Sequence, residues 1–114
     1  MSKNPPAAYV AAVATTQEEI GFYTGGGAST SAFKIEPDVA LVVDVTFSAD
    51  APGIDKKEVG DHKLGGGPVL TRGSASHPLV FERLAAVAER ENIPFSITAA
   101  PKYTPPGPAA TGAR

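Results

Sequence analysis

The sequence contains no cysteine, and this absence excludes two kinds of site at once. Without thiols the chain can form no disulfide bond, and it can hold no zinc ion through thiolate ligands. Any metal ion must therefore be bound by oxygen or imidazole ligands, and the chain has two histidines.

A strong charge of one sign and long apolar runs are also missing. The 10 basic side chains stand against 12 acidic ones, which gives a net charge of −2. No basic block of the kind that neutralises nucleic-acid phosphates is present, so we expect no nucleic-acid partner. No apolar run approaches the roughly 20 residues that cross a bilayer, and residues 1–6 lack the apolar stretch of a signal peptide. We therefore expect no membrane association and a cytoplasmic location.

The length and the composition together predict one domain and a tail. At 114 residues with 42% hydrophobic side chains, the chain can bury one core at most. After Tyr103 the composition changes to Pro, Gly, Ala and Thr without apolar periodicity. We therefore place the domain at residues 1–104 and predict that residues 105–114 form a disordered tail.

Two apolar runs predict buried strands. The run from Ala8 to Thr16 is apolar on both faces, and its β-branched residues favour a strand over a helix. The run from Val39 to Thr46 is the strongest strand pattern in the chain, interrupted only by Asp44. Shorter strands are predicted at residues 68–72 and 94–99.

Helices are predicted between these strands. Residues 28–34 have room for two helical turns before Pro37. Pro78 opens an amphipathic helix that runs through Glu91, and Asn92 closes it. Residues 47–63 show neither period and predict an extended functional loop. Strands that alternate with helices indicate an α/β sandwich on a partly parallel sheet. The residues expected to form its small core are Val10, Val13, Leu41, Val43, Val80, Leu84 and Val87.

Three carboxylates stand near the ends of the two long predicted strands, at Glu18, Glu19 and Asp44. Open α/β sheets bind ligands outside the carboxyl ends of their strands. An ionised Asp44 inside an apolar strand is costly to bury unless a cation or a hydrogen-bond donor compensates its charge. Glu18 and Glu19 point in different directions on an extended segment, so one can bind a metal while the other acts as a general base.

Each of these residues also has a structural interpretation. Glu18 and Glu19 can be a solvated pair or can cap the following helix, and Asp44 can be a buried carboxylate bonded to backbone N–H groups. His62 lies in a charged loop, and His77 lies beside a helix-starting proline. We therefore predict surface or capping roles for both histidines.

Three segments carry a more specific signal when they are taken together and in this order. They are residues 14–21 (ATTQEEIG), 35–46 (IEPDVALVVDVT) and 60–70 (GDHKLGGGPVL). Together they resemble the tetrahedral aminopeptidases, cobalt- or zinc-dependent metallopeptidases that are often labelled endoglucanase or cellulase homologues. The resemblance spans roughly Ala8 to Thr104. It implies that residues 1–104 are part of a three-layer αβα sandwich of the zinc-peptidase (phosphorylase/hydrolase-like) type.

The resemblance also implies a site with two divalent metal ions, zinc or cobalt. A water or hydroxide that bridges them attacks the peptide carbonyl of an N-terminal residue. By position, Glu18 resembles the general base, Glu19 a ligand of one metal and Asp44 a ligand of the other. The family's two histidine ligands and its bridging aspartate have no counterpart in the three segments. We therefore expect an incomplete site and no activity from the chain by itself.

Three functions remain as hypotheses. The first is part of an aminopeptidase that acts on peptides, in a family that forms homo-oligomers. The second is a non-catalytic remnant that binds a metal or a peptide. The third, a glycosidase with Glu18 and Glu19 as its acid pair, is disfavoured. Glycosidase carboxyls face each other across the bond at about 5 to 9.5 Å, whereas neighbouring side chains diverge.

Overall fold

The computed structural model describes residues 7–18, 26–74 and 76–99. They fall into two units, and the chain passes from the first to the second between Ala40 and Leu41. The first unit contains helix α1. The second contains helix α2, strand β1, helix α3 and strand β2. Their bounds are α1 Gly26–Ile35, α2 Lys56–Val59, β1 Val69–Arg72, α3 Pro78–Arg90 and β2 Ser96–Ala99. No helix in these ranges is long and apolar enough to span a bilayer.

Strands β1 and β2 form a two-stranded parallel sheet. Val69 pairs with Ser96, and the register continues to Arg72 opposite Ala99. Parallel neighbours need a crossover connection, and α3 provides it between them. The Arg72 guanidinium lies 5.6 Å from the centre of the Phe81 ring on α3. The predictions of two short strands with a helix between them are confirmed, and so is the α/β class.

The ends of α3 follow local chemistry. Pro78 occupies the first turn, where its missing N–H costs nothing, and the helix ends before Asn92. Asn92 has a φ of +55°, and the next residue, Ile93, donates its N–H to the Ala88 carbonyl at 2.8 Å. A left-handed residue followed by a bond back into the last turn is a common helix terminus. The sequence prediction that Asn92 closes this helix is confirmed.

The remaining helices differ slightly from the prediction. Helix α1 is longer than the predicted residues 28–34 and still ends before Pro37. The segment predicted as a loop without regular structure contains the single-turn helix α2. Its start is capped by Asp55, whose carboxylate accepts the Lys57 N–H at 2.8 Å.

One glycine fixes how the loop enters β1. Gly67 has a φ of +91°, a conformation that L side chains rarely adopt, and a Cβ there would overlap the carbonyl oxygen of Pro94. The neighbouring Pro68 carbonyl accepts the Ser96 N–H at 3.0 Å. The absence of a side chain therefore lets the loop approach the start of β2 closely enough to begin the sheet.

The two long predicted strands are wrong in this structure. Residues 9–15 and 39–47 have no regular secondary structure, and every one of them is exposed. Val43 and Val45 are 92% and 93% exposed, and Val42, which alternation places on the opposite face, is 64% exposed. A strand exists through hydrogen bonds to a neighbour, and neither run pairs with another segment in the described ranges.

The predicted core is also wrong. In the ranges that the structure describes, the buried residues are Ala49, Ala88 and His62, which are 6%, 7% and 6% exposed. Of the seven predicted core residues, six are between 36% and 92% exposed and the seventh, Val80, is half-buried. Burial of large apolar side chains needs a covering layer on each face, and the hydrophobic residues that are buried in the described ranges are the small Ala49 and Ala88. The predicted tail at 105–114 lies outside the described residues.

The open apolar segment at 41–47 leads to a prediction about solution behaviour. Unpaired edges with exposed apolar side chains are templates for pairing between molecules, so we expect the purified 114-residue chain to self-associate. Val43→Lys should reduce the apparent mass in size-exclusion chromatography and leave the unfolding midpoint unchanged, because Val43 is 92% exposed.

Ser74→Lys is the matched control for this prediction, because Ser74 is exposed and the change adds the same charge, from −2 to −1. We expect no reduction in mass from it. A monodisperse monomer with one steep unfolding transition in the unsubstituted chain would contradict the prediction.

Candidate functional site

Glu18 lies in a turn that is tied to α1. The Gly27 N–H donates to the Thr16 carbonyl at 3.0 Å. A Cβ on Gly27 would lie 2.6 Å from the Thr16 nitrogen, closer than real Cβ contacts come, so a side chain would push the turn off the helix. The glycine therefore allows α1 to hold the residues that lead into Glu18.

The turn itself is strained at Gln17. This residue has a φ of +58°, in the left-handed region that residues other than glycine seldom adopt. The conformation costs about 1–2 kcal/mol for an L-residue and persists where the surroundings enforce it, often at functional sites. Glu18 follows directly and is exposed. The strained residue Gln17 and the hydrogen bond from α1 to Thr16 therefore lie within two residues of Glu18, the predicted general base.

A groove with polar walls lies beside this turn. The Thr30 hydroxyl donates to the Gly26 carbonyl at 3.0 Å, and the Ser31 hydroxyl donates to the Gly27 carbonyl at 2.7 Å. The helix backbone thus orients both hydroxyls. The lining residues are Thr16, Gln17, Gly26, Gly27, Thr30 and Ser31.

The neighbouring carboxylate, Glu19, lies outside the described residues. The division of work between Glu18 as base and Glu19 as metal ligand therefore stays a prediction.

Asp44 occupies a different environment from the predicted one. The sequence analysis placed it within a buried strand, where its charge needed compensation, but Asp44 is exposed in an extended segment. Its Oδ1 accepts the Val45 N–H at 2.7 Å. Its charge carries no burial cost, contrary to the prediction, because water reaches the carboxylate. A carboxylate still has further acceptor sites on its second oxygen, and these suit a divalent ion.

The described residues do not assemble a complete metal site. Within residues 7–18, 26–74 and 76–99, no three histidine, aspartate or glutamate side chains come close enough to hold an ion together. Glu18 belongs to the first unit and Asp44 to the second. Each carboxylate is therefore characterised by its own surroundings.

The position of His62 differs from the predicted one. We predicted a surface or capping role, but the side chain is 6% exposed, and its Nδ1 lies 2.8 Å from the Ser96 hydroxyl on β2. The flanking Asp61 and Lys63 gave a polar pattern that hid this burial. Since 34 residues separate His62 from Ser96, no periodicity reveals the contact. His77, by contrast, is exposed at the start of α3 and makes no side-chain capping bond, so its predicted surface position is confirmed.

Further bonds close the loop between Asp44 and β1. The Ala49 N–H donates to the His62 carbonyl at 2.6 Å, and the Leu64 N–H donates to the Asp50 carboxylate at 3.1 Å. On its outer side, Lys56 and Asp61 form an ion pair at 2.9 Å. The hydrogen bond from Lys56, and then its charge, hold the pKa of Asp61 below its ordinary value. Both partners are exposed, so solvent screens this pair and the inner contacts define the loop.

Comparison with known proteins gives one family. The family model described as M42 glutamyl aminopeptidase matches residues 1–112. A putative aminopeptidase of Acetivibrio thermocellus is 43% identical over 88 residues, which are 75% of this chain and 25% of that protein. A lysyl aminopeptidase of Pyrococcus furiosus is 37% identical over 92 residues, 81% of this chain and 25% of that protein. The chain thus spans about a quarter of the length of these relatives.

Solved structures agree with this result. A TET aminopeptidase from a marine-sediment archaeon of the Thaumarchaeota superposes with a TM-score of 0.68 at 31% identity, over 89% of this chain and 28% of that chain. An aminopeptidase from the archaeon Desulfurococcus kamchatkensis gives 0.64 at 39% identity, over 84% of this chain and 28% of that chain. The likeness therefore extends through most of this chain and covers a minor part of each neighbour.

The strained turn before Glu18 generates a prediction. Gln17→Val places a β-branched side chain in the left-handed region and should open the turn, whereas Gln17→Asn should leave it closed, because Asn tolerates this conformation. A difference of about 1–2 kcal/mol between the two variants corresponds to roughly 5- to 30-fold faster hydrogen exchange of the Gly27 amide in Gln17→Val than in Gln17→Asn. Equal exchange rates in the two variants would show that the turn does not enforce the left-handed conformation.

Proposed function

We propose that this chain, which belongs to the M42 glutamyl aminopeptidase family, carries part of the catalytic site of a metal-dependent aminopeptidase. The reaction is hydrolysis of the peptide bond after the N-terminal residue of a peptide. The observation that carries the proposal is the family match over residues 1–112, which includes the turn that presents Glu18. The family description names a glutamyl residue and one relative's name a lysyl residue, so the proposed reaction is not restricted to one N-terminal residue.

The proposed roles follow from the donor chemistry of the chain. A bound divalent ion supplies a water of lowered pKa and polarises the substrate carbonyl. Glu18 accepts a proton from the attacking water at its carboxylate, which is exposed and therefore accessible to it. Asp44 and Glu19 offer carboxylate oxygens, which suit zinc and cobalt as well as other divalent ions. A pair of such ions is proposed on the family resemblance alone, and the ligands proposed here are fewer than two ions require.

The same proposal extends to the fold and to the assembly. The parallel pair β1–β2 with α3 is one βαβ unit, and the open apolar segment at 41–47 needs cover on both faces. A three-layer αβα sandwich meets both requirements, since it has helices on each side of a mostly parallel sheet. Homo-oligomeric assembly is proposed on the family resemblance alone.

A graft tests the catalytic roles. In the Acetivibrio thermocellus relative, the segment that matches this chain is replaced by the chain's own residues, and hydrolysis of leucine, glutamate and lysine anilides is measured with cobalt or zinc. We expect the graft to be active and Glu18→Gln to lower kcat by about 10²- to 10⁴-fold, the range for loss of a general base. Glu82→Gln, at an exposed position on α3, is the control and should leave kcat unchanged. An active graft that tolerates Glu18→Gln would refute the assigned role.

The isolated chain gives an independent prediction. We expect no anilide hydrolysis and weak cobalt binding in titration calorimetry, because few of the family's ligands are present. Asp44→Ala and Glu19→Ala should each weaken the binding further, while Glu82→Ala should not. Tight binding that neither substitution affects would show that the metal lies elsewhere, and turnover abolished by Glu18→Gln would show that other ligands complete the site. Weak binding that depends on both residues, together with an inactive graft, favours the non-catalytic alternative.

A further inference from the structure

His62 joins three segments of the second unit. Its carbonyl accepts the Ala49 N–H at 2.6 Å, and its Nδ1 lies 2.8 Å from the Ser96 hydroxyl. Its ring packs against the Cα of Gly60 so closely that a Cβ there would overlap Nε2. At 6% exposure, His62 is the buried polar side chain of the described ranges. One residue thus connects the loop after Asp44, the loop before β1 and the strand β2.

The contact with Ala49 matters because of where it falls in the chain. Residues 41–47 are exposed and make no backbone bond to a distant segment within the described ranges. The first such bond after Asp44 is the one from Ala49 to His62. The segment that carries Asp44 is therefore held at this end through the main chain of His62, and His62 is held in turn by its side chain on β2.

The imidazole of His62 is attached to β2 by one side-chain hydrogen bond, the bond to Ser96. Nε2 is buried and has no hydrogen-bond partner among the described residues. An orphaned buried N–H is rarer than an orphaned acceptor, which favours the tautomer in which Nδ1–H donates to Ser96 and Nε2 is bare against Gly60. The whole attachment of the ring to β2 then depends on the Ser96 hydroxyl.

We propose that His62 is a positioning residue for the metal-binding carboxylate Asp44, acting through Ala49 and locked by its bond to Ser96. This rests on the proposed function in one respect, the assignment of Asp44 as a ligand. His62 itself binds no metal and touches no substrate. It fixes the end of the segment that presents the carboxylate and thereby limits the positions that the carboxylate can take.

Three variants distinguish the effect of losing the hydrogen bond from the effect of losing the ring's volume. His62→Phe keeps a ring and removes the bond, Ser96→Ala removes the partner, and His62→Asn restores a donor close to the position of Nδ1. Loss of one side-chain hydrogen bond corresponds to a change of about 3- to 10-fold in a local opening equilibrium. We expect His62→Phe and Ser96→Ala to speed hydrogen exchange of the Ala49 amide by that factor, and His62→Asn to reverse most of the effect. The double variant His62→Phe with Ser96→Ala should be no worse than either single change.

Two further readouts distinguish positioning from general stability. The Val45 amide, which donates to the Asp44 carboxylate, should change its chemical shift in His62→Phe and recover in His62→Asn. Cobalt affinity should fall in the first variant and recover in the second. Amides in α3 should keep their exchange rates, and His77→Phe, at the exposed histidine, should change nothing.

The possible outcomes distinguish a failure of the positioning role from a failure of the ligand assignment. Exchange that rises equally at Ala49 and in α3, or a Val45 amide that does not respond, would overturn the proposal. Unchanged cobalt affinity in a chain that binds cobalt through Asp44 would overturn it too. If the unsubstituted chain binds no cobalt, the ligand assignment fails, and the Val45 and Ala49 amides still report whether His62 positions Asp44.

Discussion

The hydrogen bond between His62 and Ser96 is the contact on which the position of the loop between Asp44 and β1 depends. Few side chains in the described ranges are buried, so packing of large apolar groups does not by itself fix the loop between Asp44 and β1. A buried imidazole with one hydrogen-bond partner is sensitive to substitution of that partner, because its loss leaves a buried nitrogen without a hydrogen bond, which is costly. The same residue receives the Ala49 N–H, so strand β2, the loop and the segment that carries Asp44 are linked through His62.

Short-range sequence patterns were sufficient to predict helix α3 and the strands on either side of it. Helix α3 was predictable because its proline start, apolar stripe and Asn92 stop are all written within 15 residues of sequence (78–92). The strands on either side of it follow, since a βαβ unit needs a strand before and after the crossover helix. These elements find their hydrogen-bond partners in the helix itself or in the adjacent strand.

The predictions that were wrong concern segments whose structure depends on partners far away in the sequence. An apolar run such as 39–46 indicates a buried strand only if other chain segments pair with both of its edges and cover both of its faces, and Val43 has no such cover here. The prediction of a surface or capping role for His62 was wrong for the opposite reason. Its charged neighbours indicated exposure, but its burial results from a contact with Ser96 across 34 positions, which hydropathy does not encode. In both cases the missing information is tertiary, and a single sequence contains it only indirectly.

The candidate site shows the same division between local and distant determinants. The turn before Glu18 is local: Gln17 is held in a strained conformation, and Gly27 admits the Thr16 carbonyl. Metal affinity is not local, because an exposed carboxylate binds a divalent ion weakly until other ligands displace its remaining water. Asp44 and Glu18 are both exposed, so burial gives neither of them an intrinsic preference for a cation. Any affinity of either carboxylate for a cation must then come from additional ligands, because a single exposed carboxylate leaves most of the ion's water shell in place.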